Sequence, residues 1–257
     1  TLPVGDFPVT EIREFEGEVA LPGKDLSDLI EKTSLAMAST EVRYYLNGIL
    51  LEVSPSQINV VATDGHRLAW SSCKIKTDFT DEKIIIPRKS ALELQKLLNL
   101  YPENVNIAFN LNQLKVFSDE YTFVSKLIEG SYPDYEKVFP KGTEQKLKAN
   151  KSLVQTALNR AAVLSNEKYR GVKFILEKDN LKICANNPSK ESAEEEVLVE
   201  YSGDSFEIGF NISYVQESLS VISNNEVEFV FFGSENSCLV KNIDDESLIH
   251  VIMPMRL

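Results

Sequence analysis

The chain of 257 residues repeats itself, and that constrains its fold more than any other feature. Residues 27–64 run through an amphipathic stretch, a polar break and two strand-like stretches. Residues 152–187 do the same about 125 positions later, with Ser39 on Ser165, Glu52 on Glu177 and Ala62 on Ala185. The match continues from 83–111 to 206–233, where Pro87 falls on Asn211 and Val105 on Val227. A weaker copy lies inside the first half, since 18–33 resembles 83–98. Each copy reads as a short strand, a turn, a helix and two or three strands. Self-similarity of this kind means that one supersecondary unit has been reused. The expectation is an α+β chain of four β-α-β-β-β units, paired into two tandem domains, with helices on one face of antiparallel sheets.

Apolar spacing of three and four residues predicts helices over roughly 25–39, 88–99, 151–165 and 213–223. Alternation and β-branched residues, as in Val105-Asn106-Ile107-Ala108-Phe109, predict the strands. Residues 16–140 and 141–257 are expected to form the two domains, with 141–147 as the connection. Residues 1–15 read as a linker from a preceding domain. The chain opens on Thr1 without an initiator Met, so a fragment or processed product is expected.

Composition removes several classes. An apolar fraction of 43% fills a core and excludes disorder. No apolar run approaches the roughly 20 residues of a membrane helix, and the N-terminus carries no signal-peptide pattern. Cys73, Cys184 and Cys238 are odd in number and widely spaced, which predicts neither a zinc site nor a disulfide framework, but free thiols in a reducing cytoplasm. His66 and His250 are the two histidines, too few for histidine metal sites. No cofactor motif is present. The net charge of −12 argues against a protein that wraps DNA with a basic surface. The predicted helices are less acidic than the remainder: Arg88, Lys89, Lys96, Lys151 and Arg160 all lie on them, which allows one locally DNA-tolerant face.

Three segments stand out chemically. Thr63-Asp64-Gly65-His66-Arg67 gathers titratable and small residues. It reads either as a strand turn capped by its own side chains or as an acid/base site of a two-domain hydrolase using Asp64, His66 and Arg67. The run Glu191-Ser192-Ala193-Glu194-Glu195-Glu196 lacks the glycine and ligand alternation of a calcium loop and reads as a solvated or partner-facing edge. The last ten residues, Leu248 to Leu257, include seven apolar ones, two of them Met. They read as a buried last strand, as the wall of an adaptable apolar groove, or as both.

Five stretches carry a family resemblance: Glu41-Val42-Arg43-Tyr44-Tyr45-Leu46-Asn47-Gly48, Ala62-Thr63-Asp64-Gly65-His66-Arg67-Leu68-Ala69, Tyr132-Pro133-Asp134-Tyr135, Leu164-Ser165-Asn166-Glu167-Lys168-Tyr169-Arg170-Gly171 and Met253-Pro254-Met255-Arg256-Leu257. They resemble, in order and spacing, the second and third domains of the bacterial DNA sliding clamp, the beta subunit of DNA polymerase III. The resemblance implies a non-enzymatic processivity factor in the cytoplasm, associated with the nucleoid. Two three-domain subunits would surround duplex DNA as a homodimer, helices inward, without sequence readout. It further implies a cleft for short peptides of DNA polymerases, clamp loader, ligase and mismatch-repair proteins, at Leu46, Thr63, Gly65, His66, Arg67, Leu68, Pro133, Val138, Asn211, Tyr214, Val251, Met253, Pro254 and Met255. DNA-facing positions would be Thr40 (where the family often has a longer amide), Tyr44, Tyr45, Arg88, Lys89 and Lys96. The subunit contact would fall on Val163, Leu164, Glu191, Glu194 and Glu195, the acidic ones awaiting basic residues of a first domain. A chain of these two domains would keep the cleft, would not close the usual ring, and would be monomeric or weakly associated.

Overall fold

The computed structural model describes residues 15, 17–77, 81–243 and 245–256. The expected linker over 1–15 lies outside the described residues except for Phe15. Four units follow in order. The first is β1 (Val19–Pro22), α1 (Gly23–Ser34), β2 (Gly48–Ser54), β3 (Gln57–Thr63) and β4 (Arg67–Lys74). The second is β5 (Glu82–Pro87), α2 (Arg88–Leu100), β6 (Asn104–Phe109), β7 (Gln113–Phe117) and β8 (Thr122–Lys126). The third is β9 (Gln145–Asn150), α3 (Lys151–Val163), β10 (Gly171–Glu177), β11 (Asn180–Asn186) and β12 (Ser192–Leu198), followed by the two-residue β13 (Glu200–Tyr201). The fourth is β14 (Phe206–Asn211), α4 (Ile212–Ser220), β15 (Glu226–Phe231), β16 (Cys238–Asn242) and β17 (Leu248–Ile252). The expected α+β repeat of β-α-β-β-β is therefore the architecture.

Local chemistry sets the helix starts. Pro22 precedes α1 and Pro87 precedes α2, where the missing N–H and fixed φ suit a helix entrance. The later copies use a side-chain cap instead: Asn150 Oδ1 accepts from Leu153 N at 3.1 Å, and Asn211 Oδ1 from Ser213 N at 2.9 Å. The first helix ends at Ser34, five residues before the expected limit. Apolar spacing continues through Ala36 and Met37, but Ala38 N donates to Leu46 O and draws the chain off the helix axis. Similarly, the expected connection over 141–147 is shorter, because Gln145–Leu147 already pair with β15.

The first strand of each unit joins the sheet of its neighbour. Strand β1 pairs with β6, while β5 pairs with β2; likewise β9 pairs with β15 and β14 with β10. This exchange makes each pair of units one body. Two sheets have four strands, ordered β1-β6-β7-β8 and β12-β11-β10-β14. The third has nine, β13-β9-β15-β16-β17-β4-β3-β2-β5, and runs across both halves through an antiparallel β17–β4 ladder. One core gathers β1–β7 residues under α1 and α2, and a second gathers residues 147–252 under α3 and α4. A third cluster, Leu50, Val61, Leu68, Ile85, Tyr135 and Val251, lies on the opposite face of the nine-stranded sheet, where residues 128–139 cross it.

Candidate functional site, a groove at the junction of the two halves

Thr63–Arg67 forms the turn between β3 and β4. Asp64 Oδ1 accepts from His66 N at 2.9 Å and from Arg67 N at 3.0 Å, and Thr63 Oγ1 accepts from Gly65 N and donates to Arg67 O at 2.6 Å. Gly65 has φ +88°, and a Cβ there would meet the Arg43 guanidinium. The turn is built by its own side chains. The Asp64 carboxylate is committed to the turn, Oδ1 to backbone N–H groups and Oδ2 to the Arg67 guanidinium, so the hydrolytic alternative for Asp64, His66 and Arg67 finds no support in this geometry.

Arg67 joins the two halves. Its Nε lies 3.2 Å from Asp64 Oδ2, Nη1 reaches Glu217 Oε2 on α4 and Nη2 donates to Leu35 O after α1, both at 2.5 Å. Its guanidinium sits 4.4 Å from the centre of the Tyr214 ring, an arrangement worth about 0.5–2 kcal/mol. Burial and the Asp64 charge push the Tyr214 hydroxyl pKa up. Asn211, by capping α4, fixes where Tyr214 and Glu217 start.

The C-terminal segment closes the opposite wall. After β17, Met253 N donates to His66 O at 3.0 Å, extending the β17–β4 ladder onto the turn, and Met255 N donates to Gly209 O at 2.8 Å. Met253, Pro254 and Met255 remain half-exposed. The last segment is thus both a buried strand and a groove wall. Beneath it Val251 stands opposite Leu68 in the ladder, and both are buried at 0% and 1% exposure.

Pro133 and Val138 arrive from the crossing segment. Tyr135 anchors that segment: its hydroxyl donates to Glu52 Oε2 at 2.6 Å, and Lys83 Nζ pairs with Glu52 Oε1. Burial, then the Glu52 carboxylate, raises the Tyr135 pKa. A depression of about 350 Å³ lies beside it, lined in part by Leu50, Ile85, Tyr132 and Pro133. The structure therefore gathers Gly65, His66, Arg67, Tyr214, Asn211, Met253, Pro254 and Met255 at the surface, with Thr63 buried just behind the turn. Leu68 and Val251 lie beneath as a floor, with Val138 packed against the same cluster. Leu46 is buried at 1% exposure, held by the Arg43–Asn47 turn. Sequence reasoning missed Glu217 and Leu35, whose partner Arg67 is remote in the chain and leaves no local signal.

The other expected positions divide. Lys89 and Lys96 are exposed on α2, Lys96 paired with Glu93 at 2.9 Å, and Thr40 is exposed. Arg88 is half-buried and donates to Met37 O at 3.0 Å, tying α2 to the end of α1. Tyr44 is exposed and meets Tyr45 edge-on, while Tyr45 packs on the third cluster, across the sheet from the helices. Val163 is 79% exposed and Leu164 half-buried. Glu191 bonds Asn187, Glu194 pairs with Lys182 at 2.8 Å, and Glu195 pairs with Arg160 at 2.7 Å. The acidic edge is thus partly neutralised within the chain. The cysteines are free, and among the described residues no cluster of ligating side chains could hold a metal. No described helix is long and apolar enough to cross a membrane.

Comparison with known proteins follows the same division. Residues 20–134 match the family model of the DNA polymerase III beta subunit central domain, and residues 136–256 that of its C-terminal domain. The beta sliding clamp of Pseudomonas aeruginosa is 44% identical over all of this chain and 70% of its own length, and that of Escherichia coli K12 is 40% identical with the same coverage. A crystal structure of the P. aeruginosa DNA polymerase III subunit beta superposes with a TM-score of 0.97 at 44% identity, covering 100% of this chain and 70% of that one. Another P. aeruginosa clamp structure, bound to griselimycin, gives 0.95 at 44% identity with the same coverage. The chain belongs to the DNA polymerase III beta subunit family, the beta sliding clamps.

Proposed function

We propose that the groove between the Thr63–Arg67 turn, α4 and the Met253–Met255 tail takes short, partly apolar peptides of DNA polymerases, clamp loader, ligase and mismatch-repair proteins. One observation carries this reading. The Met253–His66 and Met255–Gly209 hydrogen bonds bring two flexible thioether side chains against a rigid turn, beside Tyr214 and above an apolar floor. Methionine suits a wall that accepts several ligands. The Asp64 carboxylate, committed to its turn, favours a binding role over an enzymatic one. A leucine and an aromatic side chain buried there would contribute about 1.5–3 kcal/mol each before ordering costs, consistent with micromolar affinity near −8 kcal/mol.

In this reading the exposed lysines of α2 meet the phosphates of duplex DNA without sequence readout, with Arg88 of the same helix, Thr40 and Tyr44 as lesser contributors; Tyr45, packed on the third cluster, contributes least. Val163, Leu164, Glu191, Glu194 and Glu195 form the subunit contact. The domains divide near residue 140, supported by the change of core at that point. The setting is the bacterial nucleoid, in the cytoplasm. Fluorescence polarisation with a labelled Gln-x-x-Leu-Phe-like peptide tests the groove. The parent should bind at micromolar concentration and Met253→Ala should weaken it about tenfold with no change in melting temperature; a folded parent that leaves the peptide free overturns the reading.

A further inference from the structure

The segment that brings Pro133 and Val138 to the groove is held from outside the groove. Ile128 N donates to Ile85 O at 2.9 Å where the chain leaves β8. Seven residues on, Tyr135 is buried at 7% exposure, and its hydroxyl lies 2.6 Å from Glu52 Oε2. Both neighbouring strands grip Glu52 in turn. It stands opposite Asn59 of β3 and Lys83 of β5 in the two ladders. Lys83 Nζ lies 2.5 Å from Oε1, and Asn59 Nδ2 donates to Oε2 at 3.4 Å. A buried carboxylate fixed in this way accepts a short, strong hydrogen bond from a phenol. The repeat counterpart Glu177, on the same face of β10, is exposed. The burial of Glu52 therefore follows from the chain laid over it, not from the repeated unit.

The segment also has room to move. The depression of about 350 Å³ lies over β2 and β5, where Leu50 and Ile85 floor it and residues 130–136 wall it. The groove floor, Leu68 and Val251, belongs to β4 and β17 on the other side of the segment. Pro133 thus stands between the groove and open space. We propose that Glu52 is a positioning residue of the peptide groove, acting through Tyr135 to set Pro133 and Val138 in place before a peptide arrives. Without the Tyr135–Glu52 bond the wall shifts over the depression, and a peptide must order it on binding. Glu52 touches no peptide in this account. The role rests on the peptide-binding reading of the groove.

Fluorescence polarisation with the labelled Gln-x-x-Leu-Phe-like peptide on the 257-residue chain tests it. Tyr135→Phe keeps the ring in its cluster, removes the hydroxyl, and should weaken binding about fivefold. Glu52→Ala should weaken it at least as much. The double variant should lose no more than Glu52→Ala alone, because both act through one bond. Ile183→Val, in the core of the second half, lowers stability without touching the segment and should bind as the parent does. In hydrogen exchange without peptide, the N–H groups of residues 136–139 should exchange faster in Tyr135→Phe and Glu52→Ala, while those of β3 hold. Variants that bind and exchange like the parent, a double variant that loses the sum of both effects, or an equal loss in Ile183→Val would each overturn this role. In those cases the parent still binds and the groove reading stands. A folded parent that leaves the peptide free overturns the groove reading, and the role of Glu52 with it.

Discussion

The turn between β3 and β4 and the turn between β11 and β12 are copies of one device. In the first, Asp64 Oδ1 accepts from His66 N and Arg67 N; in the second, Asn187 Oδ1 accepts from Glu191 N at 3.1 Å, and Lys190 N donates to Asn187 O. Each needs a left-handed residue, Gly65 at φ +88° and Lys190 at +64°. Local sequence thus builds nearly the same turn twice. One becomes a groove and the other stays on the surface, because β17 pairs with β4 and carries a Met-rich tail onto the first turn, while β12 has no further strand beside it among the described residues. A site here is a property of the junction between units, not of the unit.

Several substitutions sharpen this comparison. The largest effect is expected from Leu68→Ala, which opens a cavity in the buried floor and should cost about 2–5 kcal/mol in urea unfolding. Its counterpart Ser192→Ala on β12 should change stability by less than about 0.5 kcal/mol. Equal costs would break the contrast. Arg67→Ala comes next, since it strands Glu217 and Asp64 and frees Leu35 O. A loss of about 2 kcal/mol is expected in the same assay, together with weaker peptide binding. A neutral Arg67→Ala would show that the clip across the halves contributes nothing.

The junction also buries His250, whose Nε2 has no hydrogen-bond partner. Burial, and then the Arg67 charge, lowers its pKa to about 3. The unfolded imidazole titrates near its ordinary value of about 6.5, so the unfolded chain takes up a proton first as pH falls. Stability from keeping His250 neutral is complete above that value and drains away between about 6.5 and 3. By pH 5 the parent should have lost about 2 kcal/mol relative to His250→Gln, read as converging unfolding midpoints. Parallel pH profiles would sink this. The smallest effect should come from Val163→Ser: exposed at the end of α3, it should leave the melting temperature within error.

Much of the fold was legible in the residues. The repeat predicted four β-α-β-β-β units because each unit keeps its own apolar periodicity; the Asn150 and Asn211 caps, whose chemistry acts within three residues, were found only in the structure. Helix ends were less legible: Leu35–Met37 keep a helical pattern, but the Ala38–Leu46 hydrogen bond, made across a loop, ends the helix. The groove residues were named through resemblance rather than through any local pattern. Their sorting into wall and floor, with Leu68, Val251 and Leu46 below the surface, needed the structure.

By itself the sequence determined what short-range forces settle: the repeated unit, its helices and strands, and the self-capped turn at Asp64. The tertiary structure decided which strand each unit lends to its neighbour, that β17 joins β4 into one nine-stranded sheet, and that Arg67 meets Glu217. Those outcomes depend on contacts between residues far apart in the chain. Their energy comes from burying surfaces that no local pattern assigns to each other.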